Sequence, residues 1–81
     1  MKVTFRLFAI LRDRAGVSEL AVDLPENASV SAARDALLHL HPELADLLKR
    51  VAFAVNQSYC PAEAELHEGD EVAFIPPVSG G

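Results

Sequence analysis

Eighty-one residues, 51% hydrophobic and 23% charged, leave room for one domain with one modest core and exclude a second. Twelve Asp and Glu against seven Lys and Arg give a formal net charge of -5, which excludes a nucleic-acid partner held through its phosphates and suits steering toward a basic protein surface. A single cysteine, Cys60, excludes an internal disulfide, and with no signal peptide and no membrane-spanning run the chain is expected to be soluble and cytoplasmic.

Residues 2–9 place Val3, Phe5, Leu7 and Ala9 against Lys2, Thr4, Arg6 and Phe8, the period of two of a half-buried strand with Phe8 on its polar side. Arg12-Asp13-Arg14-Ala15-Gly16 is charged, ends in Gly and reads as a loop. Residues 18–24 alternate again, with Leu20, Val22 and Leu24 inward, so the two runs make a hairpin. Pro25-Glu26-Asn27-Ala28 breaks the pattern, and Ser29 is the expected cap of a helix with Val30, Ala33, Leu37 and Leu40 on its inner face. His41-Pro42 ends that helix, because a residue before Pro is pushed out of the α region. A short second helix follows over 43–50, with Leu44, Leu47 and Leu48 inward.

Residues 51–55 read as an apolar strand, Asn56-Gln57-Ser58 as a turn, and Tyr59-Cys60 as a brief edge strand limited by Pro61. Leu66 anchors a loop, Glu68-Gly69-Asp70 is a turn, and 71–75 form the last strand. The string β-β-α-(α)-β-(β)-β is met most economically by an α+β fold, a mixed sheet with a helix across one face. Its first and last strands lie parallel at the centre, and the helix covers Val3, Phe5, Leu7, Val72 and Phe74. That is the β-grasp, or ubiquitin-like, architecture. Residues 1–75 form the domain and 76–81 an extended tail.

The tail, Pro76-Pro77-Val78-Ser79-Gly80-Gly81, follows the last strand directly. Pro76 and Pro77 cannot continue a ladder and favour extended geometry, so the chain is expected to leave the sheet. Six extended residues reach about 20 Å. Gly80 and Gly81 lack side chains and pass narrow channels. Such a tail carries a carboxylate into the active site of another protein.

These residues carry a resemblance. Asp70-Glu71-Val72-Ala73-Phe74-Ile75-Pro76-Pro77-Val78-Ser79-Gly80-Gly81 resembles the ending of the small subunits of molybdopterin synthase, the MoaD family, in the sulfur-carrier branch of the ubiquitin-like and ThiS proteins. The run from Arg6 to Gly16 is similar to that family's opening strand and loop, and Ala54-Val55-Asn56-Gln57 to its middle strand and turn. Residues 29–50 match in pattern alone.

The resemblance implies that a MoeB-like partner uses ATP to adenylate Gly81, with no cofactor bound by the chain itself. A sulfur donor protein then displaces AMP and leaves a thiocarboxylate. The tail enters the MoaE-like large subunit of a heterotetramer, which supplies the catalytic residues, and sulfur passes to cyclic pyranopterin monophosphate. Related carriers serve thiamin, cysteine or transfer RNA thiolation, and a ubiquitin-like protein modifier would share the chemistry as far as the adenylate.

A docking patch follows from strand parity. If the helix covers one sheet face, Thr4, Arg6, Phe8, Ala73 and Ile75 point outward on the other. Phe8 and Ile75 flank the base of the tail, and Ala52, Ala54 and Ala73 beside them complete a compact apolar surface. Arg12 and Arg14 add charge at its rim. His39, His41 and His67 have no ligand spacing, so no metal is expected. Cys60 reads as packed rather than reactive. The acidic run Glu63, Glu65, Glu68, Asp70 and Glu71 reads as a solvated loop face.

Overall fold

The computed structural model describes residues 1–77; Val78, Ser79, Gly80 and Gly81 lie outside the described residues. Strand β1 (Lys2–Leu7) alternates as its sequence requires, burying Val3, Phe5 and Leu7. It pairs antiparallel with β2 (Glu19–Asp23), Arg6 opposite Glu19, and parallel with β5 (Glu71–Ile75), Phe5 opposite Val72. On the far side of β5, β3 (Ala52–Val55) runs antiparallel to it and pairs with the edge strand β4 (Ser58–Cys60). The sheet order is β2-β1-β5-β3-β4, a mixed sheet with its parallel pair flanked on both sides.

One face of this sheet is the core. Phe74 is wholly buried and meets Phe5 edge-on at 5.2 Å and Phe53 at 5.9 Å between ring centroids. Helix α2 (Val30–Leu40) brings Val30, Ala33 and Leu37 into the same cluster. Its start is set by Ser29, whose Oγ accepts a hydrogen bond from the Ala32 N–H at 3.1 Å. Leu66 closes the cluster from the loop that follows β4, and its N–H donates to the Ala28 carbonyl at 2.9 Å.

Three local expectations change. The charged run before Gly16 is not a loop: α1 (Ala9–Ala15) joins β1 to β2 and buries Leu11 completely. A helix this short presents a single buried residue, so it shows no period to read. Gly16 ends it in the left-handed region (φ 81°), its N–H donating to the Arg12 carbonyl at 2.9 Å.

Leu40, expected inward, is 52% exposed. A 3-10 turn at Pro42–Leu44 redirects the chain and Leu44 enters the core instead, followed by Leu48 from α3 (Ala45–Leu48), with Leu47 half-buried. The β3–β4 turn is Asn56-Gln57 alone, both left-handed (φ 50° and 72°), which is the tight primed hairpin and leaves Ser58 in the strand. No helix among the described residues is long and apolar enough to cross a membrane.

Candidate docking face and tail root

With one sheet face covered, strand parity turns Arg6, Ala73 and Ala54 to the other. The register sets them in one row with two neighbours: Glu19 is opposite Arg6, Arg6 opposite Ala73, Ala73 opposite Ala54, and Ala54 opposite Tyr59. The two alanines form a low floor, each under a tenth exposed. Arg6 and Phe8 wall it on one side and Tyr59, 75% exposed, on the other. The result is an open groove of about 330 Å³, with Glu71 and Gln57 in its lining and Ile75 at the end of β5.

A second groove of about 580 Å³ lies beside the tail root. Phe8, Ile10, Leu47, Ile75, Pro76 and Pro77 line it, so its surface is almost entirely apolar. Phe8 and Ile75 belong to both grooves. Pro76 and Pro77 leave β5 at that shared rim. The four residues placed on the docking patch from sequence, Phe8, Ile75, Ala73 and Ala54, are thus brought together. Phe8 does not sit in β1, however. It follows the strand in extended conformation (φ -122°, ψ 154°) and caps the start of α1.

Tyr59, Ile10 and Leu47 were not assigned to this surface from sequence. Tyr59 faces the groove because the two-residue turn sets it opposite Ala54, a register that a three-residue turn would shift. Ile10, 41% exposed, and Leu47 reach the tail root from α1 and α3, and α1 itself was read as a loop.

Arg6 is the charged element of the groove. Its Nε lies 3.7 Å from Glu19 Oε1 and its Nη1 3.7 Å from Glu71 Oε2, ion-pair distances too long for hydrogen bonds. The Nε is shielded from solvent and has no hydrogen-bond partner among the described residues. The guanidinium carbon sits 5.5 Å from the centroid of the Phe8 ring, over its face. Arg12 pairs with its neighbour Asp13 at 3.6 Å, an exposed contact of small energetic consequence.

At the opposite end of β5, the acidic run is more than a solvated face. Asp70 accepts from Asn56 Nδ2 at 2.9 Å and from the His67 N–H at 2.8 Å, while the Glu71 N–H donates to Asn56 Oδ1 at 3.0 Å. Glu68 accepts from the Lys2 N–H at 3.0 Å. These bonds tie the β3–β4 turn to the start of β5 and so set where β5 delivers the tail. Cys60, half-buried against the core from β4, has its thiol pushed above the ordinary range by desolvation. His41 bonds the Glu43 carboxylate at 3.0 Å and holds it below the usual carboxylate value.

The chain is similar to known proteins in sequence and in fold. Residues 5–81 match the ThiS family. The molybdopterin synthase sulfur carrier subunit of Chlamydomonas reinhardtii is 40% identical over 83 residues, covering 100% of both chains. The crystal structure of SAMP1 from Haloferax volcanii superposes with a TM-score of 0.89 at 31% identity, again over 100% of each chain. A chain from the complex of subunits 1 and 2 of the molybdopterin-converting factor of Helicobacter pylori shares the fold, with a TM-score of 0.73 at 24% identity and full coverage of both chains. With the family match running from Phe5, inside β1, to Gly81, this chain belongs to the ThiS family.

Proposed function

We propose that this chain is the sulfur-carrier subunit of molybdopterin synthase and that Gly81 carries the sulfur. One observation bears most of the weight: β5 runs out of the core into Pro76-Pro77 along an apolar groove that shares Phe8 and Ile75 with a second, mixed groove carrying Arg6 and Glu71. A partner receiving the tail therefore meets an apolar surface at its root and, next to it, a small-residue floor edged by charge. The full-length Chlamydomonas relative, named a molybdopterin synthase sulfur carrier subunit, supports the pathway.

In this reading a MoeB-like enzyme joins the Gly81 carboxylate to the AMP of ATP and releases pyrophosphate. A carboxylate is a poor electrophile, and the acyl adenylate is a good one. The outer sulfur of a donor protein's persulfide attacks the acyl carbon and AMP leaves; a second thiol of the donor then cleaves the acyl disulfide, forming a donor disulfide and freeing the thiocarboxylate. Residues 76–81 act as the tail. Val78, Ser79, Gly80 and Gly81 enter the MoaE-like large subunit of a heterotetramer, while Phe8, Ile75, Ala73 and Ala54 dock against it. That subunit supplies the acid and base groups, and sulfur passes to cyclic pyranopterin monophosphate. The chain binds no cofactor of its own, and its unpaired Cys60 suits the reducing cytoplasm.

The full-length likeness to SAMP1, small archaeal modifier protein 1, makes protein modification the second reading. Intact-mass analysis of the chain purified from its native host separates the two. Sulfur in place of one oxygen at Gly81 supports the carrier; isopeptide adducts on lysines of other proteins, with no thiocarboxylate, overturn it.

A further inference from the structure

Two features stand beside Phe8 at the groove rim. Ala9 opens α1 with φ 51°, in the left-handed region that a β-carbon makes unfavourable. It is exposed and gains no burial there. Arg6, two residues before Phe8, is held between Glu19 and Glu71 in two ion pairs and makes no side-chain hydrogen bond among the described residues. Both features converge on Phe8. Arg6 lies over one face of its ring, and the Ala9 conformation sets the direction in which the backbone leaves it.

We infer that Ala9 and Arg6 are positioning residues that preset Phe8 before a partner arrives. Phe8 is 37% exposed and lines both grooves, so it is the one aromatic ring that a tail-receiving protein meets on either side. A ring fixed in its bound rotamer loses little entropy on docking, and that raises affinity without adding a contact. Once the fold holds residue 9 at positive φ, Ala has only a narrow left-handed well open to it, whereas Gly ranges over the whole positive-φ region. Arg6 supplies a planar cation for the ring face. Its two glutamates flank the guanidinium on either side, and a lysine, with no planar group, would not reproduce the stacking. The inference rests on the docking role given to Phe8 above.

The test pairs Ala9→Gly with Arg6→Lys and reads two properties. In the chain alone, scalar couplings across χ1 of Phe8 report one rotamer in the parent and averaged rotamers in both variants. Ala9→Gly also melts at the same or a higher temperature, because the strain is relieved. Toward a purified MoaE-like large subunit, both variants dissociate roughly three- to tenfold more readily. A purely structural Ala9 would move stability and affinity together; here they move apart. Unchanged Phe8 couplings in both variants, or averaged couplings in the parent, overturn the inference whether or not the large subunit binds. If Phe8→Ala leaves the affinity unchanged, the docking reading fails instead.

Discussion

Ser29 shows how much one side chain decides. Its hydroxyl satisfies the Ala32 N–H, one of the donors that a helix start leaves without an internal partner. Ser29→Ala is expected to cost about 1 kcal/mol in a urea melt with the slope unchanged. Leu44 is different in kind: wholly buried beneath the 3-10 turn, it leaves a cavity when cut back. Leu44→Ala should cost about 2–5 kcal/mol by the same measurement, and a loss under 1 kcal/mol would mean that the turn collapses onto the space. Cys60 carries a pH expectation. Burial raises its folded value above that of the unfolded thiol, so the fold favours the protonated form. That contribution is complete below the unfolded pKa and is lost as pH rises through the folded one. Iodoacetamide should therefore alkylate Cys60 more slowly than it alkylates a short unfolded peptide at mildly alkaline pH. An equal rate would show a thiol open to solvent.

At the scale of elements, the ends of α1 and the β3–β4 turn carry most of the information about the site. α1 is closed by Gly16 at φ 81°, and a β-carbon there would meet no atom within 4 Å, so the conformation alone sets the effect of a substitution. Gly16→Ala is expected to lose about 1 kcal/mol through backbone strain, measured by thermal melting. α1 escaped the sequence reading because its seven residues expose all but Leu11 and Ala15 and mix charge with a terminal Gly, as a loop does. The strands were legible for the opposite reason. Val3, Phe5 and Leu7 alternate strictly, and a half-buried sheet permits little else. The Asn56-Gln57 turn sits between these cases. Its position was clear, yet its length rests on Asn56 reaching Asp70 and Glu71 across the sheet, a bond that spans 14 residues. Replacing Asn56 by Ala removes two solvent-exposed bonds that water can partly replace, at a cost of about 0.5–1.5 kcal/mol in a urea melt.

For the molecule as a whole, core and tail are separable. Among the described residues, every wholly buried large side chain lies between Phe5 and Phe74, ahead of Pro76. Removing Gly81 is therefore expected to leave the melting temperature unchanged while abolishing molybdopterin formation in a reconstituted assay. Continued synthesis by the truncated chain would refute the proposed carrier role.

What the sequence determined by itself was whatever local chemistry or strict period dictates. It set the strand parity that turns Arg6, Ala73 and Ile75 away from the core, the helix start at Ser29, and the Pro-Pro break that carries the chain out of β5. What the tertiary structure decided was everything that depends on a partner distant in sequence. Tyr59 became a groove wall only through its register with Ala54. Ile10 and Leu47, 37 residues apart, met beside Pro76 only once α1 and α3 had packed near the end of β5. Arg6 found Glu71 only because β1 and β5 pair in parallel. A period is written in adjacent residues, but a groove is written in contacts between elements, and those exist only after the chain has closed on its core.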